Sequence, residues 1–284
     1  MQDDSNWTEQ VHRLASMRLV VADMDGTLLT AAGQLPDGLW STLARLRRAG
    51  IVFAVASGRQ HPTLRSYFDP APEGVAYIAE NGGYAVHAGV EISARPLPLP
   101  VARKAALDVR AAARSHNLGA VWCAREVAYC ERSDAPFLRE VAAFYRSLEL
   151  VDDLTRISDE AIKIAVYDFG DAERGSARLL RPLSSPAQLV VSTPHWLDIM
   201  NPEANKGVAL RDLQAALGVT PEETIVFGDY PNDLELMEAA THSFAMANAH
   251  PEVLRRARYL APSNQDCGVL VELDEGRRGL GKTL

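Results

Sequence analysis

Apolar residues along the chain fall into short uninterrupted runs separated by segments with helical spacing. The clearest runs are Leu19-Val20-Val21-Ala22 and residues 51–56, 75–79 and 224–227. Such runs, rich in β-branched residues, predict strands buried on both faces, as in a parallel sheet. Between the first two, Leu39, Leu43 and Leu46 recur at helical spacing over residues 36–49 and stop at Gly50. A second helix is expected over 60–68. Strand, helix, strand, helix, strand is the rhythm of a parallel sheet with right-handed crossovers. Residues 82–92 alternate about Ala88-Gly89 and predict a hairpin.

Composition shifts at the proline-rich segment 96–100. A helix is expected over 101–114, with Ala102, Ala105, Ala106, Val109, Ala112 and Ala113 on one face. Strands are expected at 120–123, 127–130, 162–167, 189–192 and 196–200, with helices over 136–148 and 172–180. The middle third, 84–200, thus reads as a smaller α+β domain inserted into a first domain made of 1–83 and 201–284. The first pattern then resumes. Asn205 caps a helix to Leu217, and Gly218 stops it. A strand at 224–227 leads to a helix that starts at Pro231 and runs to 240. A strand at 244–247, a helix at 250–257 and a last strand at 269–273 complete the expected order.

The chemistry-bearing residues gather where these strands end. Asp23-Met24-Asp25-Gly26-Thr27 closes the first run, with two carboxylates pointing the same way if the extended geometry persists. Two like charges at a strand end are costly unless a cation compensates them, although a solvated acidic loop fits the same string. Ser57-Gly58-Arg59-Gln60 reads as a capping box at a helix start, which is also a ready anion site. Lys206 falls in the first turn of its helix, where a cation opposes the dipole at a cost of roughly 0.3–1 kcal/mol. A phosphate shared with a neighbouring hydroxyl would compensate it; a solvated surface lysine is the plainer reading. Asp229 ends the strand at 224–227, and Asp233 sits in the following turn, where a carboxylate favours the helix dipole. Hard oxygen ligands of this number suit Mg²⁺, and a carboxylate can attack phosphorus to give an aspartyl-phosphate.

Charge narrows the partners. The net charge of −8 argues against a nucleic-acid face and leaves room for a small phosphorylated ligand at a locally positive site. The three cysteines form no C-x-x-C, residues 1–16 lack the apolar core of a secretory signal, and no stretch approaches the roughly 20 apolar residues of a membrane span. A cytoplasmic protein with reduced thiols and no membrane contact is expected, as a monomer or weak homo-oligomer. The tail 276–283 spells a Walker A motif, but only Leu284 follows it, so a mobile terminal tail is expected there in place of a phosphate-cradling loop.

Taken together, Asp23-Met24-Asp25-Gly26-Thr27, Ser57-Gly58-Arg59, Lys206-Gly207 and Gly228-Asp229 with Asn232-Asp233 resemble, in order, the motifs of the haloacid dehalogenase superfamily. Specifically they resemble its Cof-type phosphatases with an inserted type IIB cap. The resemblance runs from Arg18 to about Leu273 and is nearest to bacterial sugar phosphatases, on residues 53–58, Ala79-Glu80-Asn81-Gly82, 243–246 and Asn248-Ala249. It implies an α/β, Rossmann-like parallel-sheet core with an inserted α+β cap that closes over the site. It also implies a Mg²⁺-dependent phosphatase for small monoesters, sugar phosphates among them. Asp23 would be the nucleophile, and Asp25 the acid and base. Asp23, Asp229 and the Asp25 carbonyl would hold the metal. Ser57 and Lys206 would hold phosphoryl oxygens, with Gly58 in the same loop; Arg59 and Asn81 would lie near the substrate. Asn232 and Asp233 would orient phosphate, lysine and metal waters. Two departures stand out: Tyr230, where the family usually has a small or amide residue, and Ala247 in place of a common glycine. A phosphomutase using the same aspartates and a non-catalytic phospholigand-binding module remain as rival classes.

Overall fold

Five strands precede the long excursion of the chain: β1 (Leu19–Asp23), β2 (Val52–Ala56), β3 (Val75–Ala79), and the hairpin β4 (Tyr84–His87) and β5 (Val90–Ala94). The excursion carries β6 (Leu118–Cys123), β7 (Ala128–Cys130), β8 (Leu148–Leu150), β9 (Lys163–Asp168), β10 (Gln188–Thr193) and β11 (Trp196–Met200). The return supplies β12 (Thr224–Gly228), β13 (His242–Met246) and β14 (Tyr259–Ala261). The structure, a computed structural model, describes residues 17–69 and 74–278. The expected N-terminal extension and the Walker A-like tail beyond Arg278 lie outside the described residues.

Among the described residues the first sheet has the order β14-β13-β12-β1-β2-β3-β4-β5. Its pairs are parallel from β14 to β3 and antiparallel at the β3-β4-β5 end. Alternate residues of β1 feed opposite layers. Val20 and Ala22 join Phe53, Val55 and Phe227, whereas Leu19 and Val21 join Ala54, Ala56 and Val226. Both faces are covered, which is why the strand reads as one apolar run.

The second sheet, β10-β11-β9-β6-β7-β8, is built differently. One face, with Trp122, Ile164, Val166, Leu197 and Ile199, packs on the Ala102, Ala105, Ala106 and Val109 stripe of the helix Leu99–Ala112. On the other face Val121, Cys123, Ala165 and Tyr167 meet Phe137 and Val141 of the helix Ala135–Ala142. That short helix covers only part of this face. Lys163 and Asp198 share the uncovered part, which turns toward the strand ends of the first sheet.

Several expectations are corrected. The hairpin 84–94 does not open the inserted unit. Ile78 and Ala79 of β3 pair with Ala85 and Tyr84, so β4 and β5 extend the first sheet and the chain departs after Ala94. Residues 269–273 form part of the helix Gly268–Arg278 instead of a strand. Their buried members Val269, Leu270 and Leu273 follow a helical spacing that a five-residue window also lets pass as a strand. The helix expected over 136–148 ends at Ala142, because Leu148 begins β8. The one expected over 172–180 shrinks to Ser176–Leu179, since Asp168 accepts from the amides of Gly170 and Ser176 and holds the preceding residues in a loop. The strands β8 and β14 were not expected. By contrast, Asn205 caps its helix as read, accepting from Val208 N at 2.8 Å, and Gly218 ends it in the left-handed region.

Two linkers join the units, and they touch: Asn201 Nδ2 donates to Pro96 O at 3.0 Å. Trp122 carries much of the second unit's core. It is fully buried, with its indole N–H donating to Asp159 O at 3.1 Å. Trp122→Ala is expected to lower stability by about 3–5 kcal/mol, read by urea unfolding.

Candidate active site

The carboxyl ends of parallel strands are where such sheets bind ligands, and β1 delivers Asp23 there. The chain then makes a wide turn over Met24–Leu28. Gly26 stands at φ +85°, and a Cβ on it would lie 2.3 Å from Asp229 Oδ2. Only glycine permits that approach. The closeness lets Thr27 Oγ1 donate to Asp229 Oδ1 at 2.8 Å, binding the first turn to the end of β12.

Lys206 lies between two acids. Its ammonium donates to Asp23 Oδ1 at 2.6 Å and to Asp233 Oδ1 at 2.7 Å, with 1% of the side chain exposed. The dipole conflict read from sequence is therefore answered by carboxylates, and the solvated-lysine reading fails. The other oxygen of Asp233 accepts from the amides of Asp229 and Tyr230, each at 3.1 Å, so this side chain sets the turn after β12.

Asp23, Asp229 and Asp233 can each offer an oxygen within 4.8 Å of the others. One ammonium among three buried carboxylates leaves negative charge uncompensated. Burial, opposed by Lys206 and reinforced by Asp233 and Asp229, raises the Asp23 carboxyl well above its usual range. Burial and then Asp233 push Asp229 up to about 7. Burial alone would lower the Lys206 ammonium, but Asp23 and Asp233 carry it above its ordinary value. A hard divalent cation fits this donor set, because it would offset the excess charge with oxygen ligands alone.

The loops after β2 and β3 are laced together. Asn81 N donates to Ser57 O at 2.9 Å, and Glu80 N to Arg59 O at 3.1 Å. The expected capping box does not form. The helix His61–Tyr67 starts later, Ser57 Oγ accepts from Arg59 N at 3.2 Å, and the Gln60 amide pairs with the backbone of Ser147 through both of its ends. Arg59 grips Asp25 in a two-point fork, Nε to Oδ2 at 2.8 Å and Nη2 to Oδ1 at 2.7 Å. It also donates to Ala143 O at 2.7 Å and lies over the Phe144 ring.

One cavity of about 110 Å³ collects Asp23, Asp25, Ser57, Gly58, Arg59, Asp229 and Asn232. Lys206, Asn81 and Asp233 stand directly behind it, Lys206 on Asp23 and Asn81 on Asn232, whose Nδ2 donates to Asn81 Oδ1 at 2.9 Å. Sequence reasoning missed the charged part of the roof. Lys163 and Asp198 of the second sheet line the cavity together with Phe144, Tyr145, Trp196, Ser192 and Thr193. Lys163 Nζ lies 2.9 Å from Glu80 Oε2 and 3.1 Å from Asp198 Oδ2, and donates to Gly58 O at 2.7 Å. Asn81 Nδ2 donates to the same Asp198 oxygen at 2.5 Å. The only signal in the sequence was a charge next to an apolar run, at Lys163 and again at Asp198.

A family model of haloacid dehalogenase-like hydrolases matches residues 20–273, and the chain belongs to that family. It is 30% identical over 268 residues to the 5-amino-6-(5-phospho-D-ribitylamino)uracil phosphatase YbjI of Escherichia coli, covering 92% of this chain and 96% of that protein. It is also 30% identical over 252 residues to the HMP-PP phosphatase of Cronobacter sakazakii, covering 86% and 89%. Among solved structures, the subclass IIB sugar phosphatase BT4131 superposes with a TM-score of 0.77 over 93% of this chain and 99% of that one; at 18% identity this is a likeness of fold. The resemblance to Cof-type phosphatases holds, and with it the α/β fold class and the assignment as a phosphoric monoester hydrolase. Among the described residues no helix is long and apolar enough to cross a membrane.

The roof yields a pH prediction. Burial, partly offset by Lys163, raises the Glu80 carboxyl from 4.5 to about 7. Between those values the folded chain holds a proton that the unfolded chain has lost. Its contribution to stability is therefore complete below pH 4.5 and lost as pH rises through about 7. Glu80→Gln stays neutral throughout. Relative to the parent it is expected to gain on the order of 3 kcal/mol across that window, measured by denaturant unfolding at several pH values. A pH-independent difference between the two proteins would refute the elevated carboxyl.

Proposed function

We propose that the chain is a Mg²⁺-dependent phosphatase that hydrolyses small phosphate monoesters, sugar phosphates among them, through a phosphorylated Asp23. The observation that carries this reading is the buried Lys206 shared by Asp23 and Asp233, with Asp229 alongside. Together they would supply a nucleophile, a phosphate-neutralising cation and an acidic metal-binding set where the neighbouring strands β1 and β12 end. Asp23 and Asp229, with the Asp25 carbonyl, would hold the ion, which when bound supplies charge neutralisation to the phosphoryl oxygens.

An oxygen of Asp23 attacks phosphorus as the bond to the leaving oxygen breaks. Lys206 and the Ser57 hydroxyl receive the phosphoryl oxygens, beside Gly58. Asp25 is the member of the acidic group that meets solvent, with 44% of its side chain exposed, so it can exchange protons. It gives one to the leaving oxygen, then takes one from the water that hydrolyses the acyl phosphate and returns Asp23 as a carboxylate. Arg59 orients Asp25 through its fork. Asn232, held by Asn81, and Asp233, through Lys206 and the turn amides, keep the site in register.

The substrate is a small phosphorylated metabolite. The cavity of about 110 Å³ is below the range of drug-sized pockets, and its roof mixes aromatic rings with Lys163, Asp198 and Ser192, groups suited to a ring or a polyol. The relatives named for a ribitylaminouracil phosphate and for HMP-PP are consistent with such leaving groups. Three free cysteines fit a cytoplasmic setting.

With Mg²⁺ and a panel of phosphate monoesters, the protein is expected to release inorganic phosphate. Asp23→Asn is expected to lower turnover by several orders of magnitude, and EDTA to abolish it until Mg²⁺ is restored. Undiminished phosphate release from Asp23→Asn would sink the mechanism.

A further inference from the structure

The geometry points to Tyr230 as the residue that limits leaving-group size, by closing a passage from the catalytic cavity into a second, larger cleft. The inference rests on the phosphatase reading above and adds to it the class of substrate excluded.

Two hollows meet at this point. The catalytic cavity holds about 110 Å³, and beside it lies a cleft of about 580 Å³ between the edge strand β10 and the first unit. The larger volume is within the usual range for a small-molecule site, and the smaller is below it. Tyr230 and Asn232 line both. Asn232 is fixed by Asn81, which is itself fixed by Asp198. The Tyr230 ring is the part of the partition outside that network, and it stands edge-on to the His250 imidazole at 6.2 Å. An aromatic ring covers on the order of 150–250 Å², so truncating it joins the two spaces.

The lining of the second cleft says what could extend there. Leu189, Val190 and Val191 all line the cleft; Leu189 and Val191 also pack into the second unit's own core, so the alternation of β10 turns Val190, paired with Asp198, out of that core. Glu173, Glu235 and Glu252 also line it, while the one lysine among its walls, Lys206, is already taken by Asp23 and Asp233. Anionic extensions are disfavoured there; neutral or cationic ones are accommodated. With Tyr230 in place, the leaving group is confined to what the roof of Lys163, Asp198 and Trp196 encloses.

The test compares the parent, Tyr230→Phe, Tyr230→Ala and Tyr230→Ala/Val190→Trp. The substrates are glycerol 3-phosphate as a short monoester, adenosine 5′-monophosphate as a long neutral-headed one, and fructose 1,6-bisphosphate as an anionic one. The long-to-short ratio of kcat/KM is expected to rise about tenfold or more in Tyr230→Ala, to hold in Tyr230→Phe, and to fall back when Val190→Trp refills the cleft. The bisphosphate gains nothing. Should Tyr230→Ala fail to fold, Tyr230→Asn makes the same opening. Affinities of the same ligands in an Asp23→Asn background, by calorimetry, give a readout free of turnover. A size-dependent gain in binding without turnover in the Asp23 proteins overturns the phosphatase reading and keeps the partition. Turnover with an unchanged size profile, or a gain that Val190→Trp leaves intact, overturns the partition.

Discussion

A single ammonium, that of Lys206, holds the site together. Burying it alone would be prohibitive, and burying Asp23 or Asp233 alone would be nearly so; each is tolerable because the others are present. The arrangement reaches back into the fold. Lys206 stands where it does because Asn205 starts a helix there. Asp23 is in reach because β1 sits at the centre of the sheet between β12 and β2. Asp233 is in reach because its second oxygen pins the turn after β12. Even so, burial first, and then the neighbouring carboxylates that one cation does not offset, raise Asp23 and Asp229, so the pocket keeps a donor set that a divalent ion would fit.

A second lysine repeats the device between the two sheets. Lys163 lies between Glu80 of the first unit and Asp198 of the second, and also donates to the carbonyl of Gly58. The loop after β2 and the roof therefore share a buried charge network. A network of this kind stabilises little in net terms, but removing one member strands the others, at about 3–5 kcal/mol. That asymmetry makes it a device for registering one sheet on the other. Gln60 with Ser147 and Arg59 with Ala143 add uncharged and charged hydrogen bonds along the same seam.

What was legible in the sequence was what is local in the chain. An apolar run that ends in an acid or a hydroxyl names both a strand and the place where its chemistry emerges, and Asp23, Asp25, Ser57 and Asp229 all carry that signature. Lys206 was legible as a contradiction, a cation at the wrong end of a helix, although the partners that resolve it are 183 and 27 residues away. The Lys163–Asp198–Glu80 network carried no such mark. Lys163 and Asp198 alternate with apolar neighbours as any half-exposed strand residue does, and only the partial cover of the second sheet by the short helix makes their face a roof. The hairpin 84–94 was found as a hairpin and assigned to the wrong unit, because alternation reports a solvent side and says nothing of which sheet edge receives it. Within the helix at 268–278, residues 269–273 also fit a strand, because five residues do not separate the two periods.

The paired linkers have a mechanical consequence. The chain crosses between the two units at 95–98 and 201–205, and the hydrogen bond from Asn201 to Pro96 clasps those crossings side by side. Of the covalent connection alone, two crossings clasped side by side leave rotation about the clasp as the least constrained movement. The second of these linkers ends at Asn205, and Lys206 follows it directly. A swing of the roof would therefore be levered against the turn that seats Lys206, the ammonium that Asp23 and Asp233 share.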